Sequence, residues 1–239
     1  MKNLFISISL ALLILGGQSC NIQMPTRGNS KIVSTEIDIN DYKEFIVIGS
    51  GNVIYEQKAG ETPYLKIETD ENIMPLMDIR SENGVLVIKA EKSINPTKMN
   101  IYTNSSSLSK INCTGSANIR IESGINISAL NIDITGSGNV TGDSITCQKF
   151  AGNVVGSGEI KISGTASDIS TNVLGSGSVD INQMPAKTAN CKISGSGNST
   201  VNVSETLKAK VLGSGNVKYR GNPQTESSIV GSGSIASIN

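Results

Sequence analysis

Hydrophobic and polar residues alternate along most of this chain, and a short glycine motif interrupts the alternation at regular intervals. The positions two residues before the motif and four residues after its first glycine are mostly Ile or Val. A period of two indicates a β-strand with one buried face, and β-branched residues favour strands. Each repeat therefore predicts a strand, a tight turn at the motif, a second strand, and a looser second turn.

The motif reads Gly-Ser-Gly-Asn at four places and a close variant of it at four others. From Gly115 to Gly231 successive motifs are 18 to 21 residues apart, while 66 residues, about three periods, separate Gly49 from Gly115. A fixed period of this length is typical of a solenoid, in which each repeat buries its apolar face against its neighbours. We predict an all-β, single-stranded β-solenoid with 18–21 residues per coil and with the Gly-Ser-Gly turns stacked along one edge. The glycines predicted to make these turns are Gly49, Gly51, Gly115, Gly136, Gly138, Gly156, Gly158, Gly175, Gly177, Gly195, Gly197, Gly213, Gly215, Gly231 and Gly233.

The start of the chain predicts export and membrane anchoring. An apolar run of 12 residues, Leu4–Leu15, has the length of a signal-peptide core and is too short to span a membrane. Small residues then lead to Cys20, as at the cleavage site of a bacterial lipoprotein. We predict a signal peptide over residues 1–19, a lipid on Cys20, and a polar tether over residues 20–31. An ordinary secretory signal followed by an unmodified Cys20 is the alternative.

Residues 32–110 repeat less regularly than residues 111–239, which carry the evenly spaced motifs. Asp70 to Met77 predicts a single helical turn with an acidic N-cap, and Asn83-Gly84 predicts a hairpin turn. We interpret residues 32–110 as irregular N-terminal coils and a cap of one continuous domain, 32–239. A separate small β-domain over the irregular part is the alternative.

Composition narrows the classes of function. The chain has 20 basic and 20 acidic residues, so it has no electrostatic footprint for nucleic acid. It contains no His, which is the usual general base and a common metal ligand. Only 3% of its residues are aromatic, which suits narrow stacked aliphatic columns better than the core of a globular enzyme.

Several segments of the irregular part carry a resemblance to a known family. They are Phe45–Val53, which contains the first motif, Tyr64–Glu68, Asp70–Ile73 and Asn83–Ile88. In order and spacing they resemble the head GIN domain family, the auto-transporter adhesins of Bacteroidetes-type bacteria, over about residues 32–239. The resemblance implies a right-handed, pectin-lyase-like β-helix and an adhesive role.

The sequence departs from the auto-transporter part of that family name. Nothing after Gly231 resembles a membrane-spanning anchor, so a lipid on Cys20 is expected to attach the protein to the membrane. The last coil, Gly231–Asn239, has an open edge, which predicts a homodimer formed through it.

No candidate catalytic, cofactor or metal site emerges from the sequence. Cys113, Cys147 and Cys191 match no zinc pattern. Cys113 and Cys191 fall in inward columns, so we interpret them as buried small hydrophobic residues, and a disulfide is the alternative. The Gly-x-Gly motifs precede strands, whereas phosphate binding needs a helix N-terminus after the glycines.

Glycan chemistry has little support in the sequence. β-Helix enzymes that act on polysaccharides need clustered carboxylates, and only Glu159 and Asp180 occupy nearby places on adjacent coils. Phe150 and Tyr219 are expected to point inward, so they offer no aromatic platform for a sugar. Asp143-Ser144-Ile145 resembles a short O-glycosylation acceptor.

Two functions therefore remain, and both place the chain in the outer membrane. The first is a non-enzymatic, adhesin-like lipoprotein that binds a glycan or a host or matrix ligand at the cell surface. The alternative is a structural or assembly protein that faces the periplasm, and a glycan-active enzyme is a weaker alternative. No nucleic acid is expected as a partner.

Overall fold

The computed structural model describes residues 24–122 and 124–238. The predicted signal peptide, residues 1–19, and the predicted lipidation site, Cys20, lie outside these residues. The described chain is almost entirely β-structure and confirms the predicted β-solenoid, which makes six turns between Gly115 and Gly231.

The first half of the chain forms β1 (Thr26–Arg27), β2 (Ile32–Asp38), β3 (Glu44–Gly49), β4 (Asn52–Gln57), β5 (Tyr64–Asp70), a 3₁₀ helix (Met74–Leu76), β6 (Met77–Glu82), β7 (Val85–Ala90), β8 (Ile94–Asn95) and β9 (Met99–Ser105). The second half forms β10 (Lys110–Gly115), β11 (Asn118–Ile121), β12 (Ile125–Gly136), β13 (Asn139–Gly156), β14 (Glu159–Thr165), β15 (Asp168–Gly175), β16 (Ser178–Gly195), β17 (Asn198–Gly213), β18 (Asn216–Arg220), β19 (Gln224–Gly231) and β20 (Ser234–Ser237).

Two walls of parallel strands enclose a narrow core. The leading wall consists of the segments that run into a glycine motif, namely β3, β7, β10 and the ends of β12, β13, β15, β16, β17 and β19. The trailing wall consists of the segments that leave it, namely β4, β9, β11, β14, β18, β20 and the starts of β13, β16 and β17. Alternate residues of both walls are buried, and they form one continuous core of mostly aliphatic side chains.

The order of coils in the first half differs from their order in the sequence. Gly49 lies in direct register with Gly115, so the first motif occupies the coil next to the second. The interval of 66 residues therefore does not correspond to three stacked coils. Instead, β7 and β9 form a further layer on the opposite side of β3 and β4. After β9 the chain crosses to the other side of β3 and β4, where β10 pairs with β3.

Antiparallel strands close the N-terminal end of the solenoid. β6 pairs with β7 through a hairpin, and β5 pairs with β9 and with β2. Asn83 and Gly84 make the hairpin turn with φ angles of 53° and 75°, which agrees with the predicted turn. The predicted helical turn is present as Met74–Leu76, but its N-cap is Ile73 and no side chain caps it.

The acidic N-cap prediction for Asp70 is wrong, because Asp70 instead fastens the N-terminal segment. Its carboxylate accepts hydrogen bonds from the Ser30 amide at 2.7 Å and from the amide and hydroxyl of Thr97 at 2.7 and 2.6 Å. Burial alone would raise the pKa of Asp70, but these hydrogen bonds outweigh it and lower the pKa. Residues 24–31, the N-terminal strap, run beside β8, where β1 pairs with it.

Candidate functional site

The predicted turn glycines form one continuous ridge of tight corners. The first glycine of each motif from Gly115 to Gly231 has φ between 118° and 123°. Its missing side chain matters because a Cβ there would lie 2.3–2.5 Å from the carbonyl oxygen of the equivalent glycine in the preceding coil. That oxygen is the acceptor for the amide of the motif serine in most coils, as in the 2.8 Å bond from Ser196 to Gly175. Only glycine allows the corners to stack this closely.

The first corner differs from those that follow it. A Cβ on Gly49 would meet nothing within 4 Å, although its φ of 128° resembles that of the other corners. Gly51 also has a positive φ, 134°, and packs against the side chain of Met99. The cause is the layer below, where residues 91–98 make a wide turn in place of a Gly-Ser-Gly corner. The surface is therefore indented on both sides of the first corner.

A ladder of asparagine side chains begins immediately after this corner. On the trailing wall, Asn139 donates to Asn118 at 2.9 Å, Asn118 donates to Asn52 at 3.4 Å, and Asn52 donates to Asn100 at 3.1 Å. A second, shorter ladder joins Asn198, Asn216 and a serine at the other end of the same column. Each link uses one of two amide hydrogens and part of the carbonyl oxygen's capacity, so both donors and acceptors remain for a ligand.

The longer ladder borders a groove of about 380 Å³, which we call the amide groove. Its lining residues are Asn52, Val53, Ile54, Asn100, Asn118, Ile119, Arg120, Asn139 and Thr141. Ile54 is half-buried and provides an apolar floor, while Arg120 is exposed at the rim and forms an ion pair with Glu122. Apolar surface beside a few fixed polar groups is the usual composition of a small-ligand site.

An aromatic side chain extends this surface toward the N-terminal cap. Tyr102 lies opposite Ile54 in the β4–β9 register, and the Lys66 ammonium lies 5.7 Å from the centroid of its ring. The sequence reasoning did not single out Tyr102, although Ile101 and Thr103 on either side of it point into the core. The same alternation that located the core therefore places Tyr102 on the outer face. Phe150 is buried, and Tyr219 is half-buried against the core, as expected.

Charged groups next to Tyr102 are held in place by ion pairs. Glu68 contacts Lys98 at 2.8 Å and Lys66 at 3.3 Å. The hydrogen bond from Lys98 is the main cause of a lowered pKa for Glu68, and it raises the pKa of Lys98. The surface therefore offers amides, one aromatic ring and both signs of charge within adjoining strands.

The chain matches the model of a known protein family. It is the family "Putative auto-transporter adhesin, head GIN domain", and it covers residues 41–223. The chain belongs to the head GIN domain family. Comparison with curated proteins gives no significant match.

Several solved structures of bacterial proteins share the fold of this head GIN domain. A crystal structure of a putative adhesin from Bacteroides fragilis has 28% sequence identity and a TM-score of 0.84, and the match covers 89% of this chain and 99% of that one. A putative lipid binding protein from Parabacteroides distasonis has 31% identity and a TM-score of 0.74, with 90% and 100% of the two chains covered. A putative adhesin from the same species has 26% identity and a TM-score of 0.71 over 90% and 100% of the chains.

Glu159 and Asp180 lie on paired strands of adjacent coils, as the sequence indicated, but they are offset in register and do not face each other directly. In the head GIN domain Glu159 lies opposite Ser178, whereas Asp180 lies opposite Lys161. Asp180, Lys161 and Asp143 share a depression of about 100 Å³. The amide groove, at about 380 Å³, is several times larger, so this depression is the weaker candidate for holding a sugar ring.

The remaining candidate residues lie apart from the amide groove. Cys113 and Cys191 are free and buried, in agreement with their interpretation as core residues, and Cys147 is also free and buried. Ser144 is exposed, has a φ of 59°, and follows Asp143 at an irregularity in the β13–β14 pairing. Within residues 24–122 and 124–238, no cluster of three Cys, Asp or Glu side chains is arranged to hold a metal ion.

Within the same described ranges, no helix of this head GIN domain combines the length and the apolar character that a membrane span requires.

Proposed function

We propose that this head GIN domain is a non-enzymatic, adhesin-like binding module and that the amide groove binds a glycan. The observation that supports it is the coincidence of the longer asparagine ladder with an apolar floor at the first corner. Amide groups pair with sugar hydroxyls as donors and acceptors, while aliphatic and aromatic side chains cover the C–H faces of sugar rings. Family membership supports the adhesive role, and the carboxylate geometry does not favour the glycan-active alternative.

The two ladders provide a matched test of this site. Asn118 and Asn216 each donate one ladder hydrogen bond and accept another, but only Asn118 lines the groove. On an array of immobilised glycans, we expect Asn118→Ala and Arg120→Ala to weaken binding roughly ten-fold, as the loss of one or two hydrogen bonds predicts. Asn216→Ala should bind like the wild type. Equal effects of Asn118→Ala and Asn216→Ala would locate binding elsewhere.

We also propose that a lipid on Cys20 anchors the domain to the outer membrane. The N-terminal strap is fastened to the cap through Asp70, so residues 20–23 would connect the lipid to a fixed point on the domain. A Cys20→Ala chain from which residues 1–19 are still removed should be recovered in the soluble fraction, because it lacks the proposed lipid. Recovery of this processed variant in the membrane fraction would contradict lipid anchoring.

Orientation distinguishes the adhesin from the alternative of a periplasmic structural protein. A surface adhesin should be degraded when intact cells are treated with protease, whereas a periplasmic protein should be degraded only after the outer membrane is opened. A periplasmic marker protein measured in the same samples controls for leakage. Complete protection in intact cells would favour the structural or assembly role.

We further propose that the last turn mediates homodimer formation. All eight residues of β19 are exposed, and Val230 is 62% exposed. Within the described residues, β19 and β20 each pair along one edge only, so their other edges offer free backbone groups to a second copy. Light scattering should give twice the monomer mass, and Val230→Lys should reduce it. A monomer at high protein concentration would refute this proposal.

A further inference from the structure

A second indentation lies on the other side of the first corner and opens into the solenoid core. It is a cavity of about 260 Å³ between the Gly49 corner and the wide turn of residues 91–98. The core side chains Val47, Ile88 and Ile101 form its inner surface. At each later motif corner the equivalent glycine of the preceding coil covers this position, whereas a Cβ on Gly49 would face open space.

The wall of this cavity is apolar and adaptable, and its mouth is polar. Met77 and Met99 line it, and methionine side chains adjust readily to an apolar ligand. Ser50, Lys92 and Ser93 stand at the mouth, and all three are exposed. Within the described part of the chain the Lys92 ammonium has no ion-pair partner. Its charge is therefore free to pair with an anionic group at the opening.

We infer that this cavity binds the hydrocarbon chain of a single-chain amphiphile whose anionic head group pairs with Lys92. A methylene group takes up a volume similar to that of one water molecule in the liquid, which is ~30 Å³. A cavity of about 260 Å³ therefore accommodates about eight or nine methylenes. One chain of this length fits, whereas a two-chain phospholipid does not. The site lies on the opposite side of the corner from the amide groove, so it does not depend on the proposed glycan binding.

Titration calorimetry with free fatty acids of increasing length tests the assignment. The protein is the processed chain from residue 20 onward carrying Cys20→Ala, so that neither a lipid on residue 20 nor the apolar run Leu4–Leu15 competes for the fatty acid. Each added methylene should tighten binding about four-fold, and the gain should stop near decanoate, where the cavity is full. No binding of decanoate at millimolar concentration, or an affinity that does not depend on chain length, would overturn the proposal.

Two substitutions examine the two parts of the site separately. Ala90 lines the cavity, so Ala90→Phe should fill it and weaken decanoate binding at least ten-fold. Ala151→Phe makes the same change on the outer face of the leading wall and should leave binding unchanged. Lys92→Gln should weaken decanoate binding about three- to five-fold without affecting decanol, as expected for an exposed charge pair. If Lys92→Gln affects decanoate and decanol equally, or Ala90→Phe binds like the wild type, the assignment is wrong.

Discussion

A side chain at a glycine corner would lower the stability of the fold in two ways, through backbone strain and through overlap with the preceding coil. Different glycines allow the two effects to be measured separately. Gly175 has a φ of 120°, and a Cβ there would lie 2.5 Å from the carbonyl oxygen of Gly156. Gly49 has a similar φ, 128°, but a Cβ there would contact nothing within 4 Å. Gly215 lacks the positive φ, and its Cβ would lie 2.4 Å from the Gly197 oxygen. An alanine would therefore introduce both strain and overlap at Gly175, backbone strain alone at Gly49, and overlap alone at Gly215.

These distances predict an order of stability for three Gly→Ala variants. A non-glycine residue at such a φ costs about 1–3 kcal/mol, and overpacking costs a further ~1–3 kcal/mol. Gly49→Ala and Gly215→Ala should each lose about 1–3 kcal/mol, and Gly175→Ala, which combines both effects, should lose about 2–6 kcal/mol. For a domain of this size, 1 kcal/mol corresponds to ~2–4 °C in Tm.

Urea unfolding followed by circular dichroism at the β-sheet band measures these losses. A Gly175→Ala variant within ~0.5 kcal/mol of the wild type would refute the requirement for glycine at the corner. A Gly49→Ala variant as destabilised as Gly175→Ala would show that the close approach to the preceding coil adds nothing. In that case backbone strain alone would explain the glycine ridge.

Three further predictions concern buried groups. Burial raises the pKa of Tyr55 to about 12, so the free energy of unfolding that is present below pH 10 should fall by about 2–3 kcal/mol as the pH rises to 12. In urea titrations at alkaline pH, Tyr55→Phe should lose less stability than the wild type, and equal losses would contradict this. Hydrogen bonds outweigh burial and lower the pKa of Asp70, so its carboxylate stabilises the fold above about pH 4, and this stabilisation is lost at lower pH. The stability of Asp70→Asn should therefore depend less on pH in the acid range, and an unchanged pH dependence would count against this role. Burial raises the pKa of the Cys113 and Cys191 thiols, and it raises the pKa of Cys147 to about 11. A thiol reagent at pH 8 should therefore label these three residues only after the protein is denatured. Labelling of the native chain as fast as the denatured chain would exclude their burial.

Local patterns predicted the repeating part of the fold well, because each corner and each inward column depends on residues close in sequence. The alternation even located Ser199 in a buried column, where it forms a 2.9 Å hydrogen bond with Thr171 in place of an aliphatic contact. The order of layers in the first half could not be predicted in the same way. Pairing of β3 with both β7 and β10 joins residues 41 and 66 positions apart, and no local signal specifies such a choice.

The candidate sites were missed for a related physical reason. The amide groove combines Asn100 from β9, Asn52 from β4 and Asn118 from β11, which become neighbours only through the nonsequential stacking. The apolar cavity arises because residues 91–98 do not form a glycine corner, and a pattern that fails to repeat gives little positive signal. The sequence shows that Asn recurs after several motifs, but it does not show where these side chains border a groove.

The position of both sites at the first corner follows from how a solenoid is built. In the six regular turns, each coil covers its neighbour in the same way, so the backbone of one corner fills the space beside the next. A cavity can form only where consecutive layers differ, and the largest difference is between the Gly49 corner and the wide turn of residues 91–98. The regular turns then serve as a rigid support, because closely packed corners leave little freedom to move. Replacing residues 91–98 with a Gly-Ser-Gly corner should close the apolar cavity and abolish decanoate binding while the other corners remain intact.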